Sequence, residues 1–195
     1  MTLPRRFYLR PTRVVARDLL GCILVSRGGG AIAACRIVET EAYLGPEDPA
    51  SHAAIRPRAA RDLFYGEGGR AYVYRIYGLY CCLNAITGRA GRPGCVLIRA
   101  VEPLTGGRAM ARRRGVAADS TRLTSGPGRL TEALGITERH NGADLTRGPL
   151  VIGPPDAPRD FMIGVGPRVG ITRATALPLR FWVRGNRYVS RNPDR

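Results

Sequence analysis

The pattern of apolar and polar residues along the chain predicts a sheet of several strands joined by glycine-rich turns. β-Branched and aromatic residues are concentrated in short runs, and glycine or proline separates these runs. Two of the strands are expected to form a hairpin broken by Gly78, and Pro103 is expected to end another strand. Gly185-Asn186 is predicted to form a second hairpin turn. The predicted strands cover residues 22–25, 31–43, 70–84 (two strands), 94–104 and 168–189 (two or three strands).

Helical spacing of apolar residues, with capping signals at the ends, predicts three helices. Residues 45–69 lack clear periodicity and are interpreted as a loop, and a loop of that length is usually functional. Residues 142–158 are loop-rich and contain four prolines. Together these elements predict one α+β domain over residues 1–195. Its sheet is expected to be curved, mainly antiparallel and open like part of a barrel, with surrounding helices and a protruding β-hairpin. The predicted helices cover residues 11–20, 105–114 and 125–135.

Four of the eight tyrosines lie in the predicted hairpin. Because side chains alternate along a strand, Tyr72, Tyr74 and Ile76 are expected on one face, with Arg75 and Tyr77 on the other. The hairpin alone leaves two interpretations open. It is either an aromatic-rich core hairpin or a platform where flat rings stack beside phosphate groups.

The charge of the chain narrows the class of partner. The formal net charge is +16, and all 31 basic residues are arginine. A field of this sign favours a polyanion, with nucleic acid as first choice and an anionic membrane surface as second. The sequence has no amphipathic helix with a large apolar face, so the membrane is set aside. Since lysine is absent, no side-chain amine is available to form a Schiff base with a sugar.

The cysteines and histidines show no metal-binding pattern. Five cysteines and two histidines are present without a C-x-x-C spacing, so neither a metal site nor a cofactor is predicted. An odd number of cysteines in strand-like settings indicates reduced thiols. The N-terminal residues lack an apolar signal segment, and no apolar run approaches the length of a membrane helix. We therefore expect a cytoplasmic protein.

The strand predicted over residues 31–43 carries the clearest candidate chemistry. Glu39, Glu41 and Tyr43 share one face by the period of two. Two carboxylates at the end of a mainly apolar strand are costly unless they are solvated, ion-paired or functional. Two interpretations therefore remain open. The carboxylates lie at an exposed strand end, or they supply a general base beside an aromatic platform.

Two further residues are candidates for the same chemistry. Arg99 lies in the middle of the 94–104 strand, where a buried arginine needs an anionic partner, and Glu41 could be that partner. His52 lies in the long loop that follows Tyr43, and a lone histidine there is more often structural than catalytic.

Six motifs follow one another along the chain. They are V-E-T-E-A-Y-L-G-P-E-D at 38–48 with His52, Y-V-Y-x-I-Y-G-x-Y at 72–80 with Asn84, C-V-L-I-R-A-x-E-P-L at 95–104, S-G-P-G-R-L at 125–130, R-V-G at 168–170 and L-R-F-W-V-R-G at 179–185. In this order they resemble the alkyladenine (3-methyladenine) DNA glycosylase family. The resemblance extends from about residue 12 to the C-terminus, and several long motifs in one order are more specific than any single motif.

The resemblance implies a site that holds a nucleotide flipped out of duplex DNA. Tyr77 matches the wedge tyrosine that enters the minor groove and fills the vacated space. Tyr43 and Tyr74 match the aromatic residues that sandwich the extruded base, and His52 matches the residue that contacts it from the side. Asn84 matches the pocket residue that disfavours the exocyclic amine of guanine.

The resemblance also implies how the base is released. Glu41 matches the general base that deprotonates the attacking water, Arg99 matches the arginine that helps to hold this water, and a main-chain carbonyl near Val169 would complete the water site. Arg75 stands where the family has an apolar residue, so it is either an added phosphate contact or an exposed strand position. Residues 53–69 and 114–124 also depart from the family pattern.

The expected function is therefore excision of alkylated or deaminated purines, such as 3-methyladenine and hypoxanthine, from double-stranded DNA by a monomeric enzyme. Opening of the sugar by an amine requires a nucleophile that this chain lacks among its side chains, so we expect a monofunctional enzyme without lyase activity. The alternative is a non-catalytic nucleic-acid-binding protein that uses the same basic surface. Glu41, Arg99 and His52 together disfavour it, since a pure binder needs no buried carboxylate.

Overall fold

The computed structural model describes residues 1–28, 30–55, 61–76, 78–191 and 193–194, and an antiparallel sheet lies at its centre. The described residues form eight strands, which pair in the order β3-β4-β5-β2-β1-β6, with β8 paired to β2 and β7 paired to β8. The strands are β1 (Ile23–Ser26), β2 (Ala33–Tyr43), β3 (Ala71–Ile76), β4 (Tyr80–Thr87), β5 (Gly94–Thr105), β6 (Leu150–Gly153), β7 (Ile163–Gly166) and β8 (Arg180–Val183).

Short helices cover the sheet and its ends. The longest, α5 and α6, pack against each other, and α6 also packs against β4 and β5. Among the helices of the described residues, none has the length and apolar character needed to cross a membrane. The helices are α1 (Arg5–Tyr8), α2 (Thr12–Asp18), α3 (His52–Ile55), α4 (Arg61–Phe64), α5 (Gly107–Arg114) and α6 (Pro127–Leu134), with 3-10 turns at Thr121–Leu123 and Glu138–His140.

The central strand β2 has three neighbours. It pairs with β5 along one side, and with β1 and then β8 along the other. In the β2–β5 pair, Glu39 lies opposite Ala100 and Thr40 lies opposite Ile98, so Arg99 occupies a β-bulge. Bulges bend a strand and redirect a side chain, which here is an arginine beside two carboxylates.

The two faces of the sheet bury different groups. One face packs against α2 and carries the main hydrophobic core, which includes Val38, Ala42 and Ile98. The opposite face carries Glu39, Glu41 and Tyr43, as the period of two predicts. A smaller apolar cluster on that face contains Ala53, Phe64, Tyr72, Ile86 and Cys95.

The predicted α+β fold with a curved antiparallel sheet is confirmed, and so are its three predicted helices. The hairpin is also present as β3 and β4, and its tip is exposed at Leu79 and Tyr80. Three predicted details are wrong. Pro103 does not end its strand, no pair of strands lies within residues 168–189, and the long loop expected over residues 45–69 contains the short helices α3 and α4. The strand β6, within the loop-rich residues 142–158, was not predicted.

The physical reasons differ between these cases. Pro103 lies in β5 beyond the segment Gly94–Leu97 that pairs with β4, next to a register shift, so the sheet tolerates its missing N–H. The strand β6 is a four-residue apolar run between Pro149 and Pro154, and the surrounding prolines obscured it. Within residues 168–189 the described chain has only β8, and its partner β7 comes earlier.

After β8, the turn at Gly185-Asn186 does not start a returning strand in the described residues. The backbone of the following segment instead forms hydrogen bonds with buried side chains of β2 and β8 at Ser190. Tertiary contacts thus replace the hairpin that the turn residues predicted.

Candidate active site

A groove of about 1120 Å³ lies on the Glu41 face of the sheet. Strands β3, β4 and β5 form its floor, and the start of α6 forms one wall. Two segments without strand structure, at residues 169–173 and 190–191, complete the walls. Tyr43 and His52 enter from β2 and α3, which makes the groove the meeting point of elements from the whole chain.

Glu41 is completely buried and lies directly behind the groove wall. Its Oε1 accepts a hydrogen bond from the backbone N–H of Val169 at 2.7 Å, and its Oε2 accepts one from the Tyr43 hydroxyl at 2.9 Å. Burial raises the pKa of the Glu41 carboxyl above its ordinary value, while the charge of Arg99 and the two hydrogen bonds lower that pKa to a smaller extent. Such a carboxylate is a stronger base than one in water.

Arg99 is the cation that faces Glu41. The distance between its Nη1 and Oε1 of Glu41 is 3.3 Å, so Glu41, the candidate partner from the sequence, is one of its two carboxylate partners. Its Nε donates to Oε1 of Glu39 at 3.0 Å, and its Nη2 donates to the Ser190 hydroxyl at 3.2 Å. Each guanidinium nitrogen therefore has a different partner, which fixes the plane of the group.

Glu39 is the centre of a second set of contacts. It is completely buried, so the exposed strand end that the sequence left open does not exist. Besides Arg99, it accepts hydrogen bonds from Nε of Arg180 at 2.8 Å, and from the backbone N–H and hydroxyl of Ser190 at 2.7 and 3.0 Å. Glu39 thus accepts four hydrogen bonds and Glu41 accepts two, so Glu41 has more lone-pair capacity left for a water.

Tyr43 is held in place by a buried ion pair. The Arg168 guanidinium lies over the Tyr43 ring at 4.6 Å and donates two hydrogen bonds to Asp48, at 2.5 and 2.8 Å. Asp48 also accepts backbone N–H bonds from Leu44 and Ala50, both at 3.1 Å. The Asp48–Arg168 pair thus holds the loop that follows β2 against the Tyr43 ring.

An aromatic cluster forms the other side of the groove. The His52 ring lies 4.5 Å from the Tyr74 ring, and Nδ1 of His52 is 3.0 Å from the Tyr72 hydroxyl. Burial raises the pKa of both Tyr43 and Tyr74, so both phenols stay neutral at physiological pH. Neutral, flat rings that line one groove are suited to stacking on a base.

The groove floor carries one amide and two thiols. Asn84 donates its amide N–H to the carbonyl of Tyr72 at 3.1 Å, and its Oδ1 lies 3.9 Å from the sulfur of Cys95. Burial raises the pKa of Cys82 and Cys95 to about 12 in each case. Both thiols are therefore protonated at neutral pH and are poor nucleophiles.

Arginines surround the opening of the groove. Four of them form no ion pair with a carboxylate of the described residues. These are Arg122, Arg129, Arg173 and Arg191. Arg75 also lines the groove, but it is paired with Glu138 at 2.9 Å. The groove therefore presents a set of unpaired positive charges to solvent.

The structure brings most of the predicted site residues together. Those that meet at the groove are Glu41, Arg99, Tyr43, Tyr74, His52, Asn84 and Val169, with Arg75 at its edge. Tyr77 lies outside the described residues. At Val169 it is the N–H, donated to Glu41, that the structure places at the site, and the predicted role of its carbonyl stays a prediction.

Sequence reasoning missed three residues of the site, which are Arg168, Arg180 and Ser190. Arg180 begins the otherwise apolar strand β8 and follows Leu179, so a charged residue between apolar neighbours is the signal that could have found it. Ser190 carries no signal, since its contacts depend on how the chain returns to β2. No group of three or more metal-binding side chains occurs in the part of the chain that the structure describes.

Known proteins similar to this chain agree on one family. A family model described as methylpurine-DNA glycosylase (MPG) matches residues 6–187. A relative from Methanoculleus marisnigri is 50% identical over 194 residues, covering 98% of this chain and 100% of the relative. One from Anaeromyxobacter dehalogenans is 48% identical over 98% of this chain and 87% of the relative. Both names give a provisional assignment as a 3-methyladenine DNA glycosylase. The resemblance predicted from the motifs is thereby confirmed.

Proposed function

The chain belongs to the methylpurine-DNA glycosylase family, and from this premise we propose that it excises damaged purines from duplex DNA by hydrolysis of the N-glycosidic bond. The observation that carries the proposal is the buried Glu41–Arg99 pair, with 3.3 Å between Oε1 and Nη1, directly behind a groove of tyrosines. A carboxylate next to an arginine is the pair needed to activate and orient a water.

The proposed substrate is a nucleotide that has left the base stack. Phosphates beside it are neutralised by the unpaired arginines at the groove opening, such as Arg122 and Arg173. The extruded base stacks between Tyr43 and Tyr74, with His52 at its side. Stacking contributes roughly 1–3 kcal/mol per base, which offsets part of the cost of unstacking and unpairing.

In the proposed chemical step, a water oxygen attacks C1′ of the damaged nucleotide. The bond from C1′ to the purine nitrogen breaks, and its electron pair leaves with the base, while Glu41 takes a proton from the water. An alkylated purine such as 3-methyladenine is already cationic, so its departure as a neutral base requires no general acid.

The water is proposed to bind at Oε2 of Glu41. That oxygen accepts one hydrogen bond from Tyr43, and a carboxylate oxygen can accept a second. Because Glu41 is fully buried behind the wall that Tyr43 and Val169 help to form, we propose that the water reaches it through a small shift of that wall when the base enters. Catalytic hydrogen bonds commonly tighten only in the substrate complex.

The proposed lesions are 3-methyladenine, hypoxanthine and similar purines. Asn84, fixed by its bond to the Tyr72 carbonyl, is proposed to disfavour guanine through its exocyclic amine. The enzyme is proposed to be monofunctional, because the sequence contains no lysine whose amine could open the sugar.

The buried carboxylates also weigh against a protein that only binds nucleic acid. Glu39 and Glu41 are both fully buried within a strand, and burying charge is costly unless the arrangement has a use. A binding groove could be built from the surface arginines and tyrosines alone.

The test is incubation of the protein with a duplex that carries one 3-methyladenine or one hypoxanthine. We expect release of the free base, and strand cleavage only after alkali treatment. Binding without base release would favour the non-catalytic alternative and overturn the proposed function. Strand cleavage without alkali would contradict the monofunctional assignment while leaving the glycosylase assignment intact.

A further inference from the structure

Glu39 holds the network behind the groove without lining the groove itself. Its Oε1 accepts from Nε of Arg99 at 3.0 Å and from Nε of Arg180 at 2.8 Å. These two arginines come from β5 and β8, the strands on either side of β2. One carboxylate oxygen thus joins three neighbouring strands.

The position of the Arg99 guanidinium depends on this bond. Its Nη1 lies 3.3 Å from Oε1 of Glu41, while its Nε is bound to Glu39 and its Nη2 is bound to the Ser190 hydroxyl at 3.2 Å. A guanidinium is planar, so two bonds on one side determine where the third nitrogen points. Glu39 therefore acts on Glu41 through Arg99.

The same carboxylate also holds one wall of the groove. Its Oε2 accepts the backbone N–H of Ser190 at 2.7 Å, and Nη2 of Arg180 donates to the carbonyl of Ser190 at 2.5 Å. Ser190 and Arg191 both line the groove. The backbone conformation at Arg191 is left-handed, with φ of 42°, so these bonds hold the segment in a turn that it would not adopt freely.

We infer that Glu39 is a positioning residue for hydrolysis, which holds Arg99 against Glu41 and fixes the groove wall at Ser190, with Arg180 as its charge partner. The inference rests on the proposed function. It assigns no contact with substrate to Glu39.

The buried cluster around Glu39 has equal numbers of positive and negative groups. Removing one charge from it therefore tests the inference. Two carboxylates, Glu39 and Glu41, face two guanidinium groups, Arg99 and Arg180. Removal of the Glu39 charge by itself favours the ionised form of Glu41, but release of Arg99 from Glu41 disfavours that form, and Arg99 has the larger influence on the pKa of Glu41. Loss of Arg180 removes a positive charge from the cluster and also disfavours the ionised form. The titratable and charged groups around Glu41 are Glu39 and Tyr43 on β2, Arg99 on β5, Arg180 on β8, Cys82 on β4, Tyr74 on β3, and Arg168 with Asp48 beside Tyr43.

The experiment compares single-turnover release of 3-methyladenine from methylated duplex as a function of pH. The proteins are the unaltered chain, Glu39→Gln and Arg180→Gln. We expect both variants to be about 10- to 100-fold slower, the loss typical of a misplaced catalytic group. The acid limb of the profile, where Glu41 becomes protonated, is expected to move to higher pH in Glu39→Gln, because Arg99 is released, and in Arg180→Gln, because a positive charge is lost.

A merely structural role predicts a smaller active fraction and an unmoved acid limb. An acid limb of Glu39→Gln that is unmoved, or moved to lower pH as loss of charge alone predicts, would overturn the inference and leave the proposed function standing, provided that the unaltered chain releases the base. Absence of release by the unaltered chain would overturn the proposed function, and the inference with it.

A milder variant serves if the charge variants fail to fold. Ser190→Ala keeps the backbone bond to Glu39 but removes the hydroxyl between Arg99 and Glu39. Loss of the two hydrogen bonds of this hydroxyl predicts roughly three- to tenfold slower release. Ser26→Ala is the matched control, since Ser26 is buried, donates to the Leu134 carbonyl at 2.9 Å and does not line the groove. Equal release rates in the two serine variants would overturn the inference.

Discussion

The hydroxyl of Tyr43 donates a hydrogen bond to Oε2 of Glu41 across 2.9 Å, between two residues on the same face of β2. Burial raises the pKa of Glu41, and this bond is one of the contacts that lower it. Since Tyr43 is also proposed to stack on the extruded base, one side chain connects base recognition with the state of the proposed general base.

Tyr43→Phe should separate these two roles. The ring remains for stacking, but loss of the hydroxyl removes a bond that stabilises the ionised carboxylate, so the pKa of Glu41 rises. We expect the acid limb of base release to move to higher pH, with lesion binding close to that of the unaltered chain. Single-turnover rates across pH give the answer. Tyr8→Phe is the control, because the Tyr8 hydroxyl is buried without a hydrogen-bond partner among the described residues.

Glu41→Gln should keep lesion binding and abolish base release. The side chain retains its size, but the amide cannot accept a proton from water. Removal of a general base slows a reaction on the order of 10²–10⁴-fold or more. Release and binding are measured on the same lesion duplex, with Glu102→Gln as a carboxylate control outside the groove. Near-normal release by Glu41→Gln would remove Glu41 from the mechanism.

Asp48→Asn should destabilise the fold and loosen the support behind Tyr43. The Asp48–Arg168 pair is buried and bidentate, and the change leaves an uncompensated guanidinium. Breaking a buried pair in this way costs about 3–5 kcal/mol. Thermal melting at neutral pH tests this expectation, and an unchanged melting temperature would contradict it.

The same pair makes a prediction about acid stability. Burial opposes ionisation of Asp48, but the hydrogen bonds from Arg168 and the backbone hold its pKa below the ordinary value. The stabilising contribution is therefore present above the unfolded pKa of about 4 and is lost as the pH falls through the folded pKa. The difference in melting temperature between the unaltered chain and Asp48→Asn should shrink as the pH falls below the pKa of aspartate in the unfolded chain.

Arg173→Gln should reduce the salt dependence of DNA binding. Arg173 is exposed on the groove wall and forms no ion pair with a described carboxylate. Each lost phosphate contact lowers the slope of log affinity against log salt by roughly 0.9. Arg17→Gln on α2 is the matched control, since that helix packs on the opposite face of the sheet. Equal salt-dependence slopes for Arg173→Gln and Arg17→Gln would indicate that the DNA does not contact this wall of the groove.

Tyr77→Ala should weaken lesion binding without destabilising the fold, as expected for a wedge at the hairpin turn. Packing in the core predicts instead a loss of ~3–5 kcal/mol. A wedge also predicts a smaller effect on a lesion in single-stranded or mismatched DNA, where unstacking is partly complete. Melting, together with excision from paired and mismatched substrates, separates the two. A large drop in melting temperature, with equal losses of excision activity on both substrates, would indicate that Tyr77 packs in the core and is not a wedge.

Local sequence patterns predicted the parts of the site that depend on one element. The period of two placed Glu39, Glu41 and Tyr43 on one face of β2, and Tyr72 and Tyr74 on one face of β3. Alternation is a property of the strand backbone, so it can be read without knowledge of the fold. The charge of +16 likewise predicted a polyanionic partner from composition alone.

Only the tertiary structure decided which residues hold those side chains in place. Glu39 meets Arg180 and Ser190 across 141 and 151 positions of sequence, and Glu41 meets the backbone of Val169 across 128 positions. Contacts of this kind arise when distant segments close over a buried charge, whose desolvation must be offset by hydrogen bonds from any element within reach. The sequence thus determined the face on which the carboxylates lie and the sign of the partner's charge. The network of contacts that supports the carboxylates forms only when segments distant in sequence pack together, and no local pattern of residues predicts it.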